Sequence, residues 1–294
     1  MKKIVRWGGI VFGGLLLTIL LVGGAMYVVG GSNLGRTYDV PTLASLDVRA
    51  DSAHLARGAH LATIYGCNDC HGENFAGQVM ADAPPFRIVA SNLTAGAGGL
   101  GARYSVADWD RTVRHGVKPD GRSVFVMPSA AFHRVADRDM EALIAYLQTI
   151  PPVDNVLPPT EFKPVGRIMA ATMAEDLAFE VRSEPARADR PEPGVTVEYG
   201  EYLAGVCAYC HGDDMEGMLE PPGPPGMIPA PSLVATGGWS LEAFEHTLRT
   251  GERTDKADID PEFMPLALTR PMTDEEIRAL HAYFASLYAS RAGA

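Results

Sequence analysis

The chain begins with one long apolar stretch. Three basic residues within the first six positions precede residues 7–31, which contain no charged side chain. In helical conformation this stretch would cross the roughly 30 Å hydrocarbon core of a bilayer, so residues 1–31 are predicted to form a transmembrane anchor. The basic end marks the cytoplasmic side, and the rest of the chain is expected outside the cytoplasm. A cleavable signal peptide with processing near residues 23–25 is the alternative, and it would export the chain as well.

Two later stretches repeat apolar residues at the three- and four-residue spacing of an amphipathic helix. The stripes are Met140, Leu143, Ile144, Leu147 and Ile277, Leu280, Phe284, Leu287. Around them the chain is rich in residues that break regular structure, with Gly 31 and Pro 22. The pattern therefore predicts a mainly α protein whose helices are joined by long, turn-rich loops.

The four cysteines of the chain form two copies of one motif. The copies are Cys67-Asn68-Asp69-Cys70-His71 and Cys207-Ala208-Tyr209-Cys210-His211. Two cysteines three apart, followed at once by histidine, are the signature of c-type haem attachment. The thiols form thioethers with the porphyrin vinyl groups, and the adjacent imidazole reaches the iron. The sequence predicts two covalently bound haems.

Other roles for the cysteines account for the motif less well. A disulfide across two intervening residues closes a very small loop and removes little entropy from the unfolded chain. A structural zinc site built from both pairs would not require histidine directly after each second cysteine. A thioredoxin-like redox motif belongs to a single βαβ context rather than to two distant copies.

The segments around the two motifs are also repeated, which indicates a tandem duplication. The matching pairs are Gly58–Ala62 with Gly200–Ala204, Arg111–Gly116 with His246–Gly251, Met127-Pro128 with Met264-Pro265, and Ala145–Leu147 with Ala282–Phe284.

The duplication sets the predicted domain boundaries. The first unit covers residues 52–152 and the second unit covers residues 195–290. A linker over residues 32–51 follows the anchor, and a proline-rich linker over residues 153–194 joins the units. A short amphipathic stripe within residues 165–173 predicts a helix in that linker, either as a brace across both units or as a docking face for another subunit.

Each unit has a helix bearing the cysteine motif, a long loop, a middle helix, a Met-Pro pair and a closing helix. In this order and in these motifs both units resemble the class I cytochrome c family. The resemblance implies two small, mainly α domains, each built around a haem with histidine on one side of the iron and usually methionine on the other.

The resemblance places the second axial ligand in the Met-Pro loop before the closing helix. It selects Met127 to pair with His71, and Met264 to pair with His211. A soft thioether ligand favours the reduced iron and raises its potential. Bis-histidine ligation is the alternative, with His115 or His133 for the first haem and His246 or His281 for the second.

The resemblance also suggests residues that support each haem. A proline-containing loop supplies the carbonyl that accepts a hydrogen bond from the ligating imidazole, which indicates Pro84 or Pro85 in the first unit and one of several prolines within 221–231 in the second. The repeated Arg114 and Arg249 are candidates for contacts with haem propionates, with exposed helix arginine as the alternative.

The net charge of −11 at pH 7 argues against nucleic-acid binding, because an acidic surface repels phosphate. An iron with both axial positions filled by protein has no place for substrate, so it passes single electrons. We therefore expect a dihaem c-type cytochrome without catalytic activity of its own, anchored in a bacterial inner membrane with its haems in the periplasm. It would serve a respiratory or photosynthetic chain, with a dehydrogenase, a quinol-oxidising complex, an oxidase or a reaction centre as redox partner.

A closer resemblance concerns the first unit. Its motifs Asn92-Leu93-Thr94, Arg114–Val117, Met127-Pro128 and Pro151-Pro152-Val153 are similar to those in the cytochrome subunits of periplasmic alcohol and gluconate dehydrogenases. This resemblance implies an alternative role as the electron-accepting subunit of a dehydrogenase complex. A second alternative is a dihaem enzyme such as a peroxidase, which requires one iron that can lose its distal ligand.

Overall fold

The computed structural model describes residues 2–41, 46–220, 228–253 and 257–292. Helix α1, Lys2–Leu34, opens the chain and extends beyond the predicted end at residue 31. Its segment Arg6–Leu34 contains an 18-residue window with a mean hydropathy of 2.2, and no part of that window is buried. The predicted N-terminal apolar helix is therefore confirmed, and its length and composition are sufficient to cross a membrane.

The chain after α1 is mainly helical, as the sequence predicts. The helices are α2 Ser52–Ile64, α3 Cys67–His71, α4 Val106–His115, α5 Ser129–Phe132, α6 Asp137–Thr149, α7 Pro164–Met169, α8 Val197–Ala204, α9 Ala208–His211, α10 Leu241–Thr250 and α11 Asp274–Ala292. Single turns of 3₁₀ helix cover Asp176–Ala178 and Val234–Gly238. The apolar stripes of α6 and α11 contribute much of the buried core.

In each unit the first helix crosses the closing helix at a glycine. A Cβ atom at Gly58 would lie 2.0 Å from the carbonyl oxygen of Ala142, and a Cβ at Gly200 would lie 2.0 Å from that of Ala279. Any side chain at these positions would push the two helices apart. Glycine therefore allows α2 to pack on α6 and α8 to pack on α11, and the two crossings are the same.

The first half of the chain contains a small antiparallel sheet, which the sequence patterns do not predict. Strand β1, Gln78–Asp82, pairs with β2, Phe86–Ala90, and β2 pairs with β3, Glu161–Phe162. The residues of β1 are mostly exposed, so they carry no clear alternation of apolar and polar positions. The third strand comes from the linker, which ties that segment to the first unit.

The linker between the units has two different roles. Helix α7 lies against the end of α1, where a Cβ at Gly30 would be 1.7 Å from the carbonyl oxygen of Arg167. The side chain of Asn33 donates a hydrogen bond of 2.9 Å to the carbonyl of Ala170. The predicted linker helix thus packs on the apolar N-terminal helix, and it leaves Val165 and Met169 exposed.

The later part of the linker follows the surface of the first unit. The amide of Arg182 donates to the carbonyl of His115, and the His115 imidazole donates back to the carbonyl of Arg182 over 2.7 Å. Further along, the amide of Asp137 donates to the carbonyl of Ala188. These bonds make residues 182–188 a brace along the first unit.

The two units meet through a reciprocal pair of hydrogen bonds. His60 and Tyr202 occupy equivalent positions in the repeat, as do Asp139 and Glu276. The His60 ring lies 2.7 Å from a Glu276 carboxylate oxygen, and the Tyr202 hydroxyl donates to Asp139 over 2.8 Å. Arg57 contacts both acids, at 2.9 Å from Asp139 and 3.0 Å from Glu276. Each unit therefore provides a donor for the acid of the other, and one guanidinium joins the two acids.

Glu276 also lies in the first turn of helix α11. Its carboxylate accepts from the amide of Thr273 while its own amide donates to the Thr273 hydroxyl, and this pair of bonds is a capping box. Burial by itself would raise the pKa of Glu276, but the bonds from His60 and the Thr273 amide and the charge of Arg57 lower that pKa to about 2. The ionised carboxylate therefore stabilises the folded state.

We expect Glu276→Gln to lower the free energy of unfolding at neutral pH by about 1 to 3 kcal/mol, the usual range for a hydrogen bond to a charged group. Since the pKa of Glu276 is lowered in the folded state, the difference from the wild type should be complete above pH 4.5 and disappear as the pH falls towards 2. Thermal denaturation across this pH range measures it.

The exposed neighbour Glu275 provides the control, because Glu275→Gln removes the same charge without a buried partner. A Glu276→Gln variant with the stability of Glu275→Gln at every pH would contradict the role given to this carboxylate.

Candidate cofactor site

The first cysteine motif forms one short helical turn. Helix α3 lies between Gly66 and Gly72, whose φ angles of 67° and 80° favour glycine. Nδ1 of His71 donates to the carbonyl oxygen of Ser91 over 2.7 Å. Burial lowers the pKa of the His71 imidazole, although this hydrogen bond opposes the shift. The ring is thus held neutral, with Nε2 available for a metal.

The second motif has the same arrangement. Nδ1 of His211, on α9, donates to the carbonyl oxygen of Pro231 over 2.7 Å. Both acceptors follow their histidines by the same number of residues, 20. For the first unit the expected acceptors Pro84 and Pro85 are wrong, because they lie in the turn between β1 and β2, where Pro85 accepts from the linker amide of Lys163.

The loops after the two histidines also have the same backbone hydrogen bonds. The amide of Gly77 donates to the carbonyl of His71, and that of Gly217 donates to the carbonyl of His211, each over 2.8 Å. Phe75 and Met215 hold the same left-handed conformation, with φ angles of 57° and 60°. This loop therefore follows one path in both units.

A large cavity connects the first motif to the predicted second ligand. It has a volume of about 1230 Å³, and its walls include Cys67, Cys70, His71 and Met127. Apolar residues from α4, α5 and α6 form much of the remaining wall, among them Trp109, Phe132 and Leu143. The structure thus brings all four predicted residues of the first unit to one largely apolar space.

The residues of the second unit are less closely linked in what the structure describes. Cys207 and Cys210 are half-buried, His211 is buried and Met264 is half-buried. The amide of Met264 donates to the carbonyl of Asp260, in a turn before α11. The pairing of Met264 with His211 remains a prediction.

The four cysteines, all of which lie in the described residues, are unbridged. Burial raises the pKa of the Cys67 thiol to about 12 and that of the Cys207 thiol to about 11, so both are neutral thiols. Within the described ranges no group of three or more His, Cys, Asp or Glu is arranged as a metal site. The two pairs therefore do not form the single zinc site considered above.

Several polar groups on the cavity wall fit a cofactor that carries carboxylates. The indole N–H of Trp109 is buried and has no hydrogen-bond partner in the protein. The cationic side chains on the wall are Arg103, Lys118, Arg122 and Arg167. Haem propionates would supply acceptors for these donors. The residues present therefore fit haem in shape, in thiol placement and in polarity.

Both roles suggested for Arg114 are wrong, and Arg249 makes the equivalent structural contact in the second unit. The Arg114 side chain is buried, and it contacts Asp110, Asp137 and the carbonyl of Val135. Arg249 donates to Asp274 and to the carbonyl of Met272. In both units this arginine joins the middle helix to the start of the closing helix. Only the fold brings these segments together, so the sequence contains no signal for the contact.

The histidines considered as alternative ligands bind other groups. His115 donates to the carbonyl of Arg182 and His133 to that of Arg114, and neither lies on the cavity wall. In the second unit His246 contacts Glu252, and His281 donates to the carbonyl of Trp239. In contrast, Trp109 lies on the cavity wall although the sequence does not indicate it, because nothing in its local pattern distinguishes a cavity wall from ordinary core.

Comparisons with known proteins agree with this site. Residues 197–288 match the family model described as Cytochrome c. The chain is 29% identical, over 92% of its length, to the cytochrome c subunit of an alcohol dehydrogenase (quinone) from Gluconacetobacter polyoxogenes. It spans 62% of the length of that relative.

Two further relatives have related names. The fructose dehydrogenase cytochrome subunit of Gluconobacter japonicus is 28% identical over 62% of this chain and 38% of its own length. The gluconate 2-dehydrogenase cytochrome c subunit of Pantoea cypripedii is 32% identical over 56% of this chain and 39% of its own length. The resemblance inferred from the motifs is thus confirmed: residues 197–288 match the cytochrome c family, and this family implies covalently bound haem c.

Proposed function

We propose that the protein is a dihaem c-type cytochrome that carries single electrons on the periplasmic side of a bacterial inner membrane. The main support is the cavity of the first unit, which gathers two cysteines, a backbone-held histidine and a methionine. The second unit matches the cytochrome c family and repeats the loop that holds the histidine. Together these findings favour a class I cytochrome c domain in each unit.

The residues of each site have separate roles in this proposal. The cysteine pairs, Cys67 with Cys70 and Cys207 with Cys210, would hold the porphyrin by thioethers. His71 and His211 would present Nε2 to the iron, because Nδ1 is bound to a backbone carbonyl. When bound, haem c supplies a one-electron iron couple.

Met127 and Met264 would supply the second protein ligand of each iron. Met127 lies on the cavity wall together with His71, in the loop just before α5. A thioether at this position excludes substrate from the metal and favours the ferrous state. The sites would therefore store and pass electrons, without independent catalysis.

Helix α1 would be the membrane anchor. The bilayer would surround the apolar part of this helix, in which residues 7–22 are all exposed on the protein. The end of this helix packs on α7 and also contributes to the wall of the first cavity through Gly31 and Leu34. The first haem would consequently lie near the membrane surface, where membrane-bound redox partners are found.

The names of the relatives favour one kind of partner. They are cytochrome subunits of alcohol, fructose and gluconate dehydrogenases. By analogy, a periplasmic dehydrogenase would donate electrons to this chain, which would pass them to a membrane acceptor. The other redox partners proposed are a quinol-oxidising complex, an oxidase or a reaction centre. Copurification from native membranes identifies which of these binds.

The haem count tests the proposal directly. Expression with a c-type cytochrome maturation system should yield a membrane-bound, red protein whose mass shows two haem additions. Replacing Cys67 and Cys70 by Ala should remove one addition, and replacing Cys207 and Cys210 should remove the other. A colourless wild-type protein, or one without a covalent haem, would refute the function.

The axial methionines have a spectroscopic signature. Met127→Ala and Met264→Ala should each remove about half of the sulfur-to-iron charge-transfer band of the oxidised protein, and each should lower the potential of one haem. Near-infrared magnetic circular dichroism measures the band. Met140→Leu is the control, because Met140 is fully buried away from the cavity and should leave both bands intact. An unchanged spectrum in either alanine variant would overturn that ligand assignment.

The unpartnered indole of Trp109 leads to a further expectation. Phe244 stands at the equivalent position of the second unit, so Trp109→Phe copies a side chain that the repeat already accepts. We expect the haem-loaded variant to lose about 1 kcal/mol of stability, the usual value of one hydrogen bond, and the haem-free variant to lose less. Thermal unfolding of both forms measures the difference, with Trp239→Phe as control. Equal losses in the two forms would show that the indole does not bind the cofactor.

A further inference from the structure

A buried carboxylate of the linker lies between the two units. Glu180 follows the 3₁₀ turn Asp176–Ala178 and is 2% exposed. One carboxylate oxygen accepts from the hydroxyl of Tyr209 over 2.6 Å. The other accepts from the backbone amide of Ala130 over 2.9 Å. Both oxygens of one side chain are therefore used, and their donors belong to different units.

Each of these two donors lies close to a predicted cofactor ligand or attachment residue. Tyr209 lies between Cys207 and Cys210, in the attachment turn of the second unit. Ala130 lies in α5, three residues after Met127. Helices α5 and α9 are in direct contact there. Glu180 thus joins the attachment turn of one unit to the segment that follows the predicted methionine ligand of the other.

Contacts with the first unit fix the backbone around Glu180. Gly116, at the end of α4, has a φ angle of 67°, and a Cβ there would lie 2.3 Å from the Glu180 carbonyl oxygen. The paired bonds between His115 and Arg182 fix the next part of the linker. On the other side, the Phe179 ring packs against the Tyr209 ring with centroids 6.2 Å apart. The carboxylate is therefore presented from the first unit in one orientation.

A second contact completes a reciprocal arrangement. Leu268 follows Met264 in the second unit, and its side chain lies against Gly66, which directly precedes Cys67. A Cβ at Gly66 would be 2.7 Å from Leu268. Pro265 and Leu268 also line the cavity of the first unit. In both directions, the segment after the methionine of one unit meets the attachment turn of the other.

This arrangement determines how the two cofactor sites face each other. The cysteines would hold the porphyrin edge that carries the thioethers, and in each unit the turn that bears the cysteines lies at the contact with the other unit. Electron tunnelling weakens exponentially with distance, so a fixed contact at this edge controls the rate of exchange.

We propose that Glu180 is a positioning residue that holds the second attachment turn against the first unit, so that one electron passes between the haems across this contact. The inference rests on the proposed function. The exchange converts one ferrous iron to ferric and the other ferric iron to ferrous, and no bond or proton changes place. The first electron comes from the redox partner, and the last leaves to the acceptor.

The test uses the full-length, haem-loaded protein in detergent. A photoexcited ruthenium complex injects one electron, and absorbance follows its redistribution between the haems. Tyr209→Phe removes only the hydroxyl bound to Glu180, and Glu180→Ala removes the whole contact. Both should slow the internal exchange severalfold while the haem content, the methionine-to-iron bands and the individual potentials stay as in the wild type, because only the relative placement of the sites is loosened.

Two further variants separate positioning from general stability. Glu184→Ala changes an exposed acid of the same linker and should leave the exchange rate unchanged. Glu180→Gln retains one acceptor for Tyr209 and should restore part of the rate. If Glu180→Ala loses haem or fails to fold, Tyr209→Phe provides the result by itself.

The outcomes distinguish the two proposals. A wild-type protein without two covalent haems refutes the function. A protein with two haems in which Tyr209→Phe exchanges electrons as fast as the wild type refutes the role of Glu180 and leaves the function standing.

Discussion

The candidate sites depend on one hydrogen bond, from the Nδ1 atom of each motif histidine to a backbone carbonyl 20 residues downstream. This bond selects the tautomer, holds the ring and directs Nε2 away from the backbone. Without it the imidazole would rotate, and its basicity would change with each rotamer. The loop that brings the carbonyl into place has the same backbone bonds and the same left-handed residue in both units.

The second constraint is the contact between the units. A helix crossing at glycine shapes the face that each unit presents to the other. The reciprocal pairs His60 with Glu276 and Tyr202 with Asp139 join these two faces. Buried acids of this kind cost desolvation energy unless each has a donor, so each unit completes the other. Because the cysteine motifs lie along the same contact, the packing of the units also sets the distance between the cofactor sites.

In the linker, local sequence patterns predict secondary structure but not the contacts that it makes. Its prolines predict an extended segment and its short apolar stripe predicts a helix, and the structure contains the helix Pro164–Met169 there. The partner of that helix could not be inferred, because an amphipathic face specifies burial and not what buries it. It packs on α1, while the bracing contacts come from residues 182–188, which have no regular pattern.

The sequence alone predicted the attachment motifs, the helical character, the repeat and the apolar N-terminal helix, because each depends on residues close together in the chain. Tertiary structure decided the rest. Ser91, and not Pro84 or Pro85, accepts the hydrogen bond from His71. Arg114 is buried against Asp137, and Glu180 lies between Tyr209 and Ala130. These contacts join segments tens of residues apart, and a donor or acceptor has no preferred partner until packing brings one within about 3 Å.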